Sequence, residues 1–313
     1  MPISQKRNLF DFSFSLITGA ASFIVVLLVV GILVVLFRES SLSISRFGIP
    51  GFLLSTDWNP VRESFGAATM IFGTAVTTLL AILIAVPIAV GIAIFVTEIA
   101  PNFLKGPIGI AIELLAAIPS IIYGMWGLFT LAPIMSKYIE PRLQKMLGPF
   151  PIVSGLVSGT PLGIDILTAS VMLSIMIIPF TASISRDAFN LTPAVVKESA
   201  YSIGATKWEV VKDVVLPYSK LGVFGGITLS LGRALGETMA VAFVLGNKHV
   251  IATSLFDAAA TITVTLANEF TEAASDIYLS SLFYLALVLF MLSFAVLAVA
   301  KFFLLKAERR YSR

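Results

Sequence analysis

Apolar residues in this chain come in long uninterrupted runs. They show neither the alternation of a half-buried strand nor the three-to-four spacing of a soluble amphipathic helix. A bilayer core requires about 20 apolar residues in helical form. Six segments meet that requirement: residues 14–37, 67–96, 114–135, 166–185, 221–245 and 277–300. The first, second and sixth are free of charge, whereas the fifth is Gly-rich and carries Arg233 and Glu237. Pro87, Pro119 and Pro179 fall inside predicted spans, where neighbouring helices can satisfy the freed backbone groups. The pattern predicts an all-α integral membrane protein with six transmembrane helices.

Composition narrows the choice. The 313 residues are 58% hydrophobic and 12% charged, against about 25% charged in soluble domains. A soluble fold this apolar would expose large greasy patches. Cysteine is absent and His249 is the single histidine, which excludes disulfides, thiolate chemistry and a histidine metal cluster. His249 reads as an ordinary loop or interface residue. The first apolar run is too long for a cleaved leader, and no small-residue cleavage site follows it.

Loop charge predicts orientation. With the N-terminus inside, Lys6, Arg7, Lys105, the residues Arg186 to Lys220 and the tail from Lys301 to Arg313 place most of the 21 Lys and Arg residues on the inner side. Arg38, Arg46, Arg62, Lys137, Arg142, Lys145 and Lys248 fall outside. The expectation is a multi-pass protein of a prokaryotic cell membrane with both termini cytoplasmic. The outer loops are too short for a catalytic domain, and Pro149 to Gly163 reads as an irregular loop rich in Gly and Pro.

The inner segment 186–220 has the clearest local punctuation. Thr192 before Pro193 reads as an N-cap with proline at the first helical position. A short helix then runs to Ile203, and Gly204 ends it. Thr206 opens a Thr-x-x-Glu capping box that closes on Glu209. The second helix is expected to place Trp208, Val211 and Val215 on one face and to stop at Pro217.

Glu198-Ser199-Ala200, Gly204, Val214 and Leu216-Pro217 resemble the EAA loop of ABC importer permeases, with Ser199 for alanine and Val214 for isoleucine. Three further stretches, Leu231 to Val241, Thr97 to Pro101 and Leu266 to Phe270, are similar to the phosphate-specific (PstC-type) permease family. This resemblance implies a type I importer (MetI-like) permease fold with a cytoplasmic coupling helix. It divides the chain into residues 1–66 (N-terminus, first helix and outer loop), 67–303 (permease domain with the coupling loop 186–220) and 304–313 (basic tail). It assigns Glu198, Gly204, Leu216 and Pro217 to docking on an ATPase. It also implies a second, PstA-like permease, a PstB-like ATPase dimer and an extracytoplasmic PstS-like phosphate-binding protein. That protein would be received on the outer loops 38–63, 137–165 and 246–276.

The chain has no G-x-x-x-x-G-K-[ST] loop for nucleotide phosphates. No catalytic residue, metal site or cofactor is therefore expected in it, and ATP-Mg belongs to the partner ATPase. Glu113 reads as an interfacial charge. Glycines 222, 226, 232 and 236 give two G-x-x-x-G spacings suited to close helix packing.

Arg233 and Glu237 are the candidate substrate-path residues. A charge within a span costs about 2.5–3.5 kcal/mol by insertion scales, and the i, i+4 spacing would pair these two on one helical face. Chemistry alone leaves a structural salt bridge and an anion path equally open. An arginine fork matches phosphate oxygens, and the resemblance favours the path. Thr228, Ser230 and Thr238 are nearby hydroxyls. A permease of the same fold for sulfate, molybdate or an amino acid is the alternative. An ion-coupled secondary transporter would leave the inner loop without a role and normally shows repeated halves.

Overall fold

The computed structural model describes residues 9–151 and 153–311, with side chains between residues 12 and 306. Lys6, Arg7 and Arg313 lie outside the described residues. In chain order come α1 (Leu9–Glu39), α2 (Ser41–Leu54) and a hairpin of β1 (Trp58–Asn59) with β2 (Ser64–Phe65), antiparallel with Trp58 opposite Phe65. Next are α3 (Ala68–Ile99), α4 (Asn102–Ala116), α5 (Ser120–Leu147) and α6 (Ile166–Asn190). The chain ends with α7 (Ala194–Ser202), α8 (Lys207–Leu235), α9 (Met239–Ala242), α10 (Ile262–Glu269) and α11 (Asp276–Tyr311).

Five of these helices are long and apolar enough to cross a membrane, and the bent pair α4–α5 supplies a sixth crossing if counted as one span. The predicted third span, 114–135, is therefore not one helix. The chain turns by 89° between α4 and α5, at Pro119, whose ring disfavours helical backbone at the residue before it. The predicted fifth span is corrected too. The helix ends at Leu235, and a break at Gly236–Thr238 precedes the short α9.

Pro217 does not end its helix. A π-helical stretch, Val210–Val215, runs directly into Leu216–Leu235. The wider π turn gives the ring the room that an α turn denies it at the carbonyl four residues back. Two stretches read as outer connectors fold in part into helices, α2 and α10.

The helix α6 is the hub, two-thirds buried over its apolar window, whereas that of α1 is not buried at all. Close approach to α6 depends on small residues. On α3, Ala81, Ala85, Ala89 and Ala93 recur every fourth position and are fully buried. On α8, a Cβ added to Gly222 would lie 2.6 Å from Ala188 Cβ, and one on Gly226 would lie 2.8 Å from Ile184 Cγ2. These glycines pack α8 onto α6, as small-xxx-small spacing allows.

Helix directions give the bundle two ends. One carries α7, the start of α8 and the end of α3. The other carries the start of α6, the hairpin, α10 and the start of α11.

Candidate functional sites at the EAA loop and the α8 break

At the first end the local signals work largely as read. Gly204 has φ +91°, and a Cβ there would meet nothing within 4 Å. Glycine is needed there for the left-handed backbone and not for space. Thr206 caps α8, its Oγ1 accepting from the Glu209 N–H at 3.4 Å while the Glu209 carboxylate accepts from the Thr206 N–H at 2.7 Å.

Two local readings fail. Thr192 does not cap α7, whose N-cap is Pro193. Its buried hydroxyl instead hydrogen-bonds Ser219 Oγ at 3.0 Å. Trp208 is 65% exposed, while Val210, Val211 and Val215 are buried, because the π-helical stretch rephases the helix face.

The loop is tied to the bundle by charge. Lys197 Nζ on α7 pairs with Glu98 Oε1 at the end of α3, at 2.5 Å, and both side chains are largely buried. Arg186 pairs with Glu113 at 2.8 Å and Asp187 at 3.1 Å, which gives Glu113 an intramolecular partner. Glu198 is exposed. Around it Leu191, Val195, Ile203 and Trp208 are 65–87% exposed. Ala200, Ile203, Gly204 and Val214 line a cavity of about 420 Å³ between α7 and α8.

Arg233 and Glu237 do not form the expected pair. Helical geometry stops between them, so their spacing no longer puts them on one face. No salt bridge joins Arg233 to any carboxylate among the described residues. Its guanidinium carbon lies 5.6 Å from the centroid of the Phe180 ring on α6. Glu237 works at the break instead: its Oε1 accepts from the Ala240 N–H at 3.2 Å, and its carbonyl accepts from Thr263 Oγ1 at 2.7 Å. Of the nearby hydroxyls, Ser230 is buried against Thr181 at 2.6 Å. Thr228 Oγ1 donates to the Phe224 carbonyl.

At the second end the structure assembles polar groups that no local pattern joins. Glu269 accepts from Trp58 Nε1 at 2.7 Å, Tyr278 OH at 2.6 Å and His249 Nε2 at 3.0 Å. Burial alone would raise the Glu269 carboxyl, but the bonds from His249, Tyr278 and Trp58 hold it below its ordinary value. His249 is thus part of a built cluster. Its partner is the last residue of α10, and Trp58 stands 211 positions away from Glu269, a separation beyond any local pattern.

Residues 71–310 match the family described as binding-protein-dependent transport system inner membrane component. The chain belongs to this family. As a binding-protein-dependent inner membrane component it is a multi-pass transport subunit. Relatives include the phosphate transport system permease protein PstC of Mesorhizobium japonicum, 52% identical over 98% of this chain and 93% of that one. The PstC of Pasteurella multocida is 49% identical over 98% and 96%. A probable PstC of Methanocaldococcus jannaschii is 37% identical over 93% and 92%. Among solved structures, a chain of the MetNI methionine ABC transporter in an inward-facing conformation superposes with a TM-score of 0.54 at 15% identity, over 76% of this chain and 96% of that one. It shares the fold, that of a type I importer permease.

Proposed function

We propose that the chain is the permease of an ATP-driven phosphate importer and that α7, with the start of α8, is its coupling element. The observation that carries the substrate is the 52% identity to a phosphate permease over nearly the whole chain. The half-buried Arg233, which forms no salt bridge among the described residues, agrees with it. A guanidinium in a span without a carboxylate partner retains its donors for a passing phosphate. Arg233 is the anion contact, and Glu237 shapes the break beside it.

The coupling reading rests on α7 presenting exposed apolar side chains while Lys197 anchors it to the end of α3. A push on α7 would thus move a span. Glu198, Gly204, Leu216 and Pro217 belong to this surface, which faces the cytoplasm in our reading, with both termini on the same side. A PstA-like permease, a PstB-like ATPase dimer that binds ATP-Mg and a PstS-like binding protein complete the importer.

The test is uptake by the reconstituted complex of labelled phosphate against sulfate and molybdate. Phosphate alone should be carried. Arg233→Gln should abolish uptake, and Glu237→Gln should severely reduce it, with both complexes assembled. Equal transport of the three anions would refute the substrate. Normal uptake by Arg233→Gln would refute the site.

A further inference from the structure

Neither the EAA loop nor the α8 break uses the pair of buried carboxyls at the second end. Glu140 lies in α5 and Asp165 is the N-cap of α6, and both residues are 0% exposed. Between them the chain turns at Gly163, where φ is +72° and an added Cβ would lie 2.1 Å from the Ala132 carbonyl oxygen. The turn therefore admits only glycine, and it brings α5 and α6 together.

The donors around the pair are few. Gly163 N–H donates to Glu140 Oε2 at 3.3 Å, Thr168 Oγ1 donates to Glu140 Oε1 at 3.4 Å, and Thr168 N–H donates to Asp165 Oδ1 at 2.8 Å. Asp165 Oδ2 is buried and has no donor among the described residues. Thr168 bridges the two side chains, giving its Oγ1 to Glu140 and its N–H to Asp165. Ionised carboxylates are acceptors only, so a hydrogen on one of them supplies the donor that the buried Asp165 Oδ2 lacks. Two carboxylates sharing a site cannot both ionise freely.

Among the described residues no salt bridge reaches either carboxyl, and Asp165 is the charged group that acts on Glu140. Arg142 and Lys145, further along α5, form no ion pair with it. From the loop packed on the start of α6, Asp257 directs its carboxylate to the Thr253 and Ser254 N–H groups. The helix decides which partner keeps the proton. Asp165 caps α6, and the Thr168 N–H and the helix dipole both favour its anion. The proton therefore sits on Glu140, whose O–H supplies the donor that Asp165 lacks.

We infer that Glu140 and Asp165 form a one-proton binding site that clasps α5 to the start of α6. Loss of that proton sets two buried like charges against each other and opens the clasp. On the orientation proposed above, the clasp faces the outside and senses external pH.

The test is infrared spectroscopy of the assembled transporter in nanodiscs, with thermal unfolding followed from about pH 6 to about pH 9, the range in which buried carboxyls titrate. The wild type should show the carbonyl band of a protonated carboxylic acid at the low end. The band should shift with carboxyl-isotope-labelled glutamate and not with labelled aspartate. It should fade as pH rises, and the thermal midpoint should fall with it. Glu140→Gln, which can still donate to Asp165, should lack the band and lose the pH dependence of the midpoint. The inference fails if the wild type has no such band at low pH. It also fails if the band follows labelled aspartate, or if it persists in Glu140→Gln. The labelled wild type decides by itself should that variant not assemble.

Discussion

The two ends of the bundle hold charge in different ways. At the EAA end, charged side chains work mainly at the rim. Arg186 reaches half-exposed partners, Glu209 closes its own capping box, and the apolar side chains of α7 stand in solvent. At the other end, carboxylates are sunk among residues from distant parts of the chain: Glu269 under Trp58, His249 and Tyr278, and Glu140 beside Asp165. A rim of exposed pairs contributes little rigidity per contact. Buried polar groups that hold hydrogen bonds are costly to disrupt. The difference suits the coupling role proposed above at one end and, at the other, loops and helices held together by buried groups.

The sharpest way to break this contrast is Glu269→Ala. Each buried donor left without an acceptor costs about 1–3 kcal/mol, and three lose theirs, so unfolding stability should fall by about 3 kcal/mol or more. Thermal denaturation of the purified complex measures it. The pH dependence has a defined sign. Because the folded-state Glu269 carboxyl lies below its ordinary value, its contribution is present above the unfolded pKa, near 4.3. It is lost as pH falls through the folded value. Glu269→Gln should flatten the acid limb of the stability profile.

Next in size is the largely buried pair Lys197–Glu98 at the EAA end. Lys197→Met leaves Glu98 buried without its cation and should cost about 2 kcal/mol. A double-mutant cycle with Glu98→Gln should return a coupling of about 1 kcal/mol or more, whereas Arg46 with Glu63, exposed on both sides, should return almost none. Equal couplings would erase the distinction between a tether and a rim pair.

Gly204→Ala should cost about 1–2 kcal/mol, the penalty of a left-handed backbone for a residue with a Cβ, and no more, since the space around it is open. Gly204→Asp should in addition leave the complex assembled while ATP hydrolysis proceeds without uptake, as measured by paired ATPase and transport assays. The smallest effect is expected at the cap, where Thr206→Ala should lose about 1 kcal/mol, seen as a small drop in thermal midpoint with uptake retained.

What the sequence determined by itself is what short-range physics controls. Long apolar runs of bilayer length gave the first, second, fourth and sixth spans. Gly204 and the Thr206–Glu209 box gave the corner between α7 and α8, because a left-handed turn and a capped helix start are settled within a few residues. The G-x-x-x-G spacings gave the packing face of α8. Tertiary structure decided everything that depends on register across distance or on the exact course of a helix. Pro119 read as a proline tolerated inside one span, but the chain turns there by 89° and divides that span into α4 and α5. Pro217 looked like a stop and was absorbed by a π-helical stretch that no periodicity announces. The i, i+4 reading of Arg233 and Glu237 assumed a helix that ends at Leu235, so the pair dissolved into an arginine over Phe180 and a glutamate at a break. The buried carboxyl of Glu269 could not be foreseen from local pattern, since its donors come from β1, a loop and α11, and only the fold brings them within hydrogen-bond reach.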